Sequence, residues 1–67
     1  MQAGVVDAFD EHVGLGTVRG EDGRTWPFHC TRITDGSRSV DVGAAVVFEV
    51  GPGGPGRWEA VAVLKLP

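Results

Sequence analysis

The chain contains 67 residues, carries a formal net charge of −3 and has one cysteine. This length accommodates one domain, residues 1–67, with one small apolar core. A lone cysteine excludes an internal disulfide and, with only two distant histidines, does not make a zinc site, so we expect no metal and no cofactor. No apolar run approaches the roughly 18 residues of a membrane helix, and no signal-peptide pattern opens the chain, which predicts a soluble, cytoplasmic protein without membrane contact.

The charges are spread unevenly along the chain. Five carboxylates face only one cation, Arg19, within the first 22 residues. The other cations stand singly, so the sequence predicts no focused basic stripe of the kind that neutralises phosphates. Such a stripe forms only if the loops carrying three arginines converge in space: Arg24, Arg38 and Arg57.

Five strand-like segments follow one another between turn signals. The first three cover about residues 4–10, 15–20 and 25–30, and Gly16 in the second predicts a bulge or the close approach of another group. The Asp22-Gly23 pair is the strongest short hairpin signal, so the second and third strands should be antiparallel neighbours. Pro27 cannot donate a ladder hydrogen bond, which predicts an edge, a bulge or a distortion in the third strand.

The second half of the chain supplies two longer strands. Residues 31–34 have room for only one turn of helix, and a loop rich in Ser, Asp and Arg covers residues 35–42. The fourth strand, residues 44–50, is a β-branched run of buried character. The glycine- and proline-rich residues 51–56 predict a flexible hairpin loop, and residues 58–64 form the fifth strand.

These elements predict an all-β fold. Five short strands in so small a chain must cover their own edges, which favours a small five-stranded antiparallel OB-fold barrel. A three-stranded sheet with a separate hairpin and an SH3-like barrel are the alternatives, and the loop lengths do not decide among them.

Several short motifs carry a family resemblance. Residues 4–10 are similar to Gly-x-Val-Lys-Trp-Phe-Asn, residues 13–18 to Lys-Gly-Phe-Gly-Phe-Ile, and residues 26–30 to Val-Phe-Val-His-Phe. Residues 43–49 fit Gly-x-x-Val-x-Phe-Glu, and the last strand fits as well. The matching positions are Gly4, Val6, Phe9, Gly14, Gly16, His29, Gly43, Val46, Phe48, Glu49, Ala60 and Val63. Over essentially its whole length the chain resembles the cold-shock domain family, which implies an OB-fold that binds single-stranded RNA or DNA.

Strand alternation and this resemblance together predict a ligand-facing side. Pro27 and His29 share one side of the third strand, whereas Trp26 and Phe28 share the inward side. The resemblance places these residues on the ligand-facing side: Asp7, Ala8, Leu15, Thr17, Pro27 and His29. Relatives carry lysine and several aromatic rings there. Because each stacked base contributes roughly 1 to 3 kcal/mol, we expect weak binding or an altered preference.

The candidate nucleic-acid-binding residues combine this side with two further aromatic rings. The exposed part of Phe9 is one contact, and Trp58 acts either as a partly exposed lid or as a plug at the barrel end. Cys30 fits a small buried hydrophobe. The candidate set is Phe9, Leu15, Thr17, Pro27, His29 and Trp58.

Two functions follow from these residues. No nucleophile, base and orienting group occur together, so we expect no enzyme activity. The first hypothesis is binding of single-stranded nucleic acid by a face centred on His29. The alternative is a protein-interaction or self-association module, in which a protein partner or a second copy contacts Val5, Leu15, Pro27 and Trp58.

Overall fold

The computed structural model describes all 67 residues, Met1–Pro67, and is an all-β structure. It contains five strands and a single turn of 3-10 helix formed by Cys30–Arg32. The strands are β1 (Gln2–Asp10), β2 (Leu15–Gly20), β3 (Thr25–His29), β4 (Ala45–Gly54) and β5 (Arg57–Lys65). The first three agree with the predicted segments to within two residues at each end.

All five strands belong to one antiparallel sheet with the order β3-β2-β1-β4-β5. The central strand β1 pairs with β2 through most of its length and with β4 through its first residues. This shared use of β1 excludes a three-stranded sheet with a separate hairpin. The hairpin predicted at Asp22-Gly23 is confirmed, because the backbone N–H of Gly20 donates to the carbonyl of Arg24 at 2.9 Å.

The sheet is not closed into a barrel. β3 and β5 lie against each other without forming a ladder, and one parallel bridge between Ile33 and Val63 links this side. Pro27 gives a physical reason. The N–H of Cys30 donates toward β2, to Gly14, so alternation turns the nitrogen of Pro27 toward the free edge, where it has no hydrogen to donate. The expected edge position of Pro27 is thereby confirmed.

The predicted flexible loop at residues 51–56 is wrong. β4 continues to Gly54 and β5 begins at Arg57, so the chain reverses only at Pro55-Gly56. Glycine and proline normally favour turns, but here their lack of bulk serves packing: the side chain of Val61 lies over Gly51, and that of Glu59 lies over Gly53. The result is a long β4–β5 hairpin.

A bulge in β1 allows two apolar residues three positions apart to face the core. Strict alternation would turn Val6 inward and Phe9 outward. The register with β2 shifts between Val6 and Ala8, leaving Asp7 as the extra residue. The bulge returns Phe9 to the core side and leaves Asp7 and Ala8 exposed.

The core consists of nine buried apolar side chains, with Trp26, Phe9 and Cys30 packed against it. Trp26 and Phe28 therefore face inward as predicted. Two core residues, Ile33 and Val40, lie outside the strands and fix both ends of the β3–β4 connection. The buried set is Val6, Val18, Phe28, Ile33, Val40, Val46, Phe48, Ala60 and Val63.

Gly16 lies on the strand between Phe9 and Phe28, whose rings stack on each other across it. It pairs with Phe9 on one side and Phe28 on the other, and the ring centroids of these two residues are 5.9 Å apart with planes inclined by 17°. A Cβ at Gly16 would stand 2.6 Å from the carbonyl oxygen of Ala8, 2.8 Å from Phe9 Cδ1 and 2.9 Å from Phe28 Cε1. The close approach predicted at this glycine is confirmed.

Replacing Gly16 with alanine should therefore destabilise the fold. We expect Gly16→Ala to lower the free energy of unfolding by about 1–3 kcal/mol, because the added methyl forces the rings or the β1 backbone to move. Gly54→Ala is the matched control, since a Cβ there meets nothing within 4 Å, and its effect should stay within about 0.5 kcal/mol. Urea denaturation measures both, and equal midpoints for the two variants would contradict the packing described.

Candidate functional site

The outer face of β1, β2 and β3 brings most of the predicted site residues together. Cross-strand pairing forms three transverse rows, since paired residues of an antiparallel sheet point to the same side. The first row is Ala8, Thr17 and Pro27, the second is Asp10, Leu15 and His29, and the third is Val5, Arg19 and Thr25. Asp7, in the bulge, borders the first row. We call this surface the outer face.

The outer face is open to solvent and carries no phenylalanine, tyrosine or tryptophan side chain. Leu15 is 53% exposed, Pro27 and His29 are exposed, and Thr17 is half-buried. The first two rows therefore offer small apolar side chains, one hydroxyl, one imidazole and the carboxylate of Asp10. Four of the six candidate residues lie here: Leu15, Thr17, Pro27 and His29.

The other two candidate residues lie elsewhere. Phe9 is half-buried on the core side, where its ring stacks on Phe28, so only part of it reaches solvent. Trp58 is 62% exposed and lies opposite Pro52 in the β4–β5 hairpin. Of the two alternatives for Trp58, the structure matches the exposed ring rather than a plug.

His29 is held by the turn that follows it. Its Nδ1 accepts the backbone N–H of Thr31 at 3.2 Å and lies 3.0 Å from Thr31 Oγ1, so the imidazole caps the 3-10 helix. Because Nδ1 is the acceptor, the neutral ring carries its proton on Nε2. The free nitrogen of His29 is therefore a hydrogen-bond donor at the rim of the outer face.

Two cavities adjoin the edge of the outer face formed by β3. The first, of about 380 Å³, is lined by His29, Cys30, Thr31, Ile33, Gly36, Ser37 and Arg38. The second, of about 250 Å³, is lined by Leu15, Gly16, Pro27, Phe28, Arg57 and Glu59. Both extend the outer face beyond β3, one into the β3–β4 connection and the other toward the start of β5.

The charges divide the outer face into an acidic and a basic side. Asp10 lies on the β1 side, and the carboxylate of Asp7 there is 2.8 Å from the guanidinium of Arg19. Arg38 and Arg57 form no ion pair and border the two cavities on the β3 side. Arg24 does not join them, because it faces Asp22 at 3.8 Å in the β2–β3 turn.

The loop that carries Arg38 is organised around Asp35. Hydrogen bonds from Ser37, including its backbone N–H at 2.8 Å, hold the pKa of the Asp35 carboxyl below its usual value, and the charge of Lys65 lowers it further. Because the pKa of Asp35 is lower in the folded protein than in the unfolded chain, the ionised carboxylate stabilises the fold. This stabilisation is fully present at a pH above the pKa of the unfolded chain, and it is lost as the pH falls through the pKa of the folded protein.

Sequence reasoning did not identify Thr31 or Glu59 as neighbours of the site. Thr31 fixes the orientation of His29, and Glu59 introduces a carboxylate beside Arg57 in the second cavity. No local pattern marks Glu59, because β5 reaches this cavity only through the fold. Thr31 has the N–H that an imidazole two residues earlier can cap, which is a weak signal in the sequence.

No protein-family model matches this chain, and no curated protein matches its sequence at a significant level. None of the protein's helical segments is long and apolar enough to cross a membrane.

The hydrogen bonds of His29 lead to a spectroscopic prediction. At a pH where both imidazoles are neutral, ¹⁵N-edited NMR of the ring nitrogens should show His29 protonated on Nε2, because Nδ1 is occupied by the N–H of Thr31. His12 is the control. Its side chain makes no hydrogen bond in the structure, so its ring should show the mixture of tautomers of a free imidazole. A proton on Nδ1 of His29 would contradict the assigned cap.

Proposed function

We propose that this chain is an OB-type domain that binds single-stranded RNA or DNA weakly on its outer face. The strand arrangement supports the fold part of the proposal. The sheet order β3-β2-β1-β4-β5, with β3 packed against β5, supports a five-stranded, partly open Greek-key barrel. Three of the motifs that resemble the cold-shock family, residues 4–10, 13–18 and 26–30, lie on or next to β1, β2 and β3, the strands that form the outer face.

The observation that carries the functional part is the distribution of charge around this face. The chain is acidic overall, but Arg38 and Arg57, which form no ion pair, line the two cavities at the β3 edge. The carboxylate of Asp7 is compensated by Arg19. A strand lying along β3 thus places its phosphates near Arg38 and its bases over the uncharged residues of β2 and β3, away from Asp10 on β1.

The chemistry of the rows fits weak binding without strong base preference. Leu15 and Pro27 offer apolar contact to the faces of bases, Thr17 offers a hydrogen bond to their edges, and His29 offers one donor at the rim of the face. Without aromatic platforms, each base loses the roughly 1 to 3 kcal/mol that stacking provides. We therefore expect dissociation constants in the range of about 10⁻⁴ to 10⁻⁶ M at physiological salt, typical of non-specific contacts.

A charge introduced at the centre of the outer face tests the proposal. Fluorescence anisotropy of a labelled oligo-dT or oligo-U should show that Leu15→Glu weakens binding about tenfold, equivalent to about 1.4 kcal/mol, through loss of apolar contact and repulsion of phosphate. Val42→Glu is the matched control. It adds the same charge at a side chain 63% exposed in the turn before β4, and should reduce affinity far less.

Two results would contradict the proposal. One is the absence of binding by the wild-type protein at high micromolar concentration in low salt, and the other is an equal loss in the two variants. Sedimentation of the same proteins distinguishes the alternative function. A concentration-dependent dimer that Leu15→Glu abolishes, without oligonucleotide binding, would assign the outer face to self-association.

The imidazole of His29 can be tested without disturbing its turn. His29→Asn keeps a side-chain acceptor for the N–H of Thr31, since asparagine is a good N-cap, and replaces the Nε2–H donor with an amide group that lies closer to the backbone. Losing one hydrogen bond of about 0.5–1.5 kcal/mol should weaken oligonucleotide binding about two- to tenfold with little change in the urea midpoint. Unchanged affinity would place the contact elsewhere on the outer face.

A further inference from the structure

The cavity between β3 and the β3–β4 connection has a frame fixed by the core. The connection that closes it is anchored by the buried Ile33 and Val40, and the N–H of Thr34 donates to the carbonyl of Val63 at 2.9 Å. Arg38 stands between these two anchors and lines the cavity together with His29. The backbone of Arg38 is therefore held at this cavity by buried residues on either side of it.

Cations outnumber carboxylates around this cavity, whereas the chain as a whole is negatively charged. Three cations lie on or beside the connection, namely Arg32, Arg38 and Lys65, against two carboxylates, Asp35 and Asp41. The carboxylate of Asp35 is already bound, since it accepts the N–H of Ser37 and lies 3.5 Å from Lys65 Nζ. No carboxylate lines the cavity itself.

Two of the residues that line the cavity have side-chain donors without a partner. Ser37 Oγ is already engaged, because it accepts from Lys65 Nζ at 2.7 Å and donates to the carbonyl of Ser39 at 3.3 Å. Nδ1 of His29 is occupied by Thr31. The guanidinium of Arg38 and the Nε2–H of His29 are left, and such a donor pair suits an anion with oxygen acceptors.

The second cavity differs from the first because a carboxylate lines it. It also contains an arginine, Arg57, but Glu59 lines the same space. An anion entering there would meet a carboxylate, whereas an anion beside Arg38 would not. The comparison favours the first cavity as the anion site.

We propose that the cavity of His29 and Arg38 binds one internucleotide phosphate of the single strand on the outer face. Arg38 supplies the charge and His29 a hydrogen bond, so that the phosphate fixes the path of the strand past the end of β3. This inference rests on the proposed function and adds a defined position for one phosphate. A volume of about 380 Å³ holds a phosphate group with part of its hydration, since a water takes about 30 Å³.

The salt dependence of binding tests this site. For single strands the slope of log K against log salt changes by about 0.7 for each phosphate that is neutralised. Arg38→Ala should therefore make the slope for labelled oligo-dT shallower by about 0.7, and Arg38→Lys should retain most of it. Arg24→Ala is the control. It changes the net charge equally at an exposed arginine of the β2–β3 turn and should leave the slope unchanged.

A second set of oligonucleotides identifies the group that is bound. Single methylphosphonate linkages, which remove one phosphate charge, can be introduced one position at a time into an oligonucleotide only long enough to cover the outer face. With the wild-type protein, the linkage at one position should make the slope of log K against log salt shallower by about 0.7. With Arg38→Ala, the same linkage should cause no further change in slope. A slope unchanged by Arg38→Ala, or changed equally by Arg24→Ala, overturns the phosphate site while leaving the proposed function in place. Absence of wild-type binding overturns both.

Discussion

The stacking of Phe9 on Phe28 across Gly16 is the contact on which the rest of the sheet depends. It joins β1, β2 and β3 on the core side at one level of the sheet, with no room for a Cβ between the rings. Phe9 reaches this position only because the bulge at Asp7 shifts the register of β1. Because of the same bulge, the side chains of Asp7 and Ala8 lie on the opposite surface. The packing of the core therefore determines which β1 residues lie on the outer face.

The composition of that surface limits its chemistry. Rings that would stack bases are absent from the outer face, and the aromatic residues of these strands are directed inward, where they stabilise a chain of only 67 residues. Under the function proposed above, affinity for a strand would come from apolar contacts, single hydrogen bonds and the arginines at the β3 edge. Each of these contacts would then account for a larger share of the affinity than in a site with several stacking platforms.

The sequence was sufficient to predict β2, the Asp22-Gly23 hairpin and the inward direction of Trp26 and Phe28, because these features follow from local turn chemistry and alternation. The bulge could have been predicted from the spacing of Val6 and Phe9. The hairpin at residues 51–56 could not, since its extension depends on side chains from β5. The sequence near Arg38 likewise does not predict that Arg38 and His29 line the same cavity. Their proximity depends on the burial of Val40 in the core and on contacts of the connection with the distant Lys65.

Backbone chemical-shift mapping decides most directly whether the outer face is the nucleic-acid surface. In ¹H–¹⁵N spectra recorded during titration with oligo-dT or oligo-U, the largest shifts should occur at the amides of Leu15, Thr17, His29 and Arg38. Leu64, which is exposed on β5, should remain unaffected. Shifts confined to β4 and β5, or none at saturating oligonucleotide, would contradict this assignment.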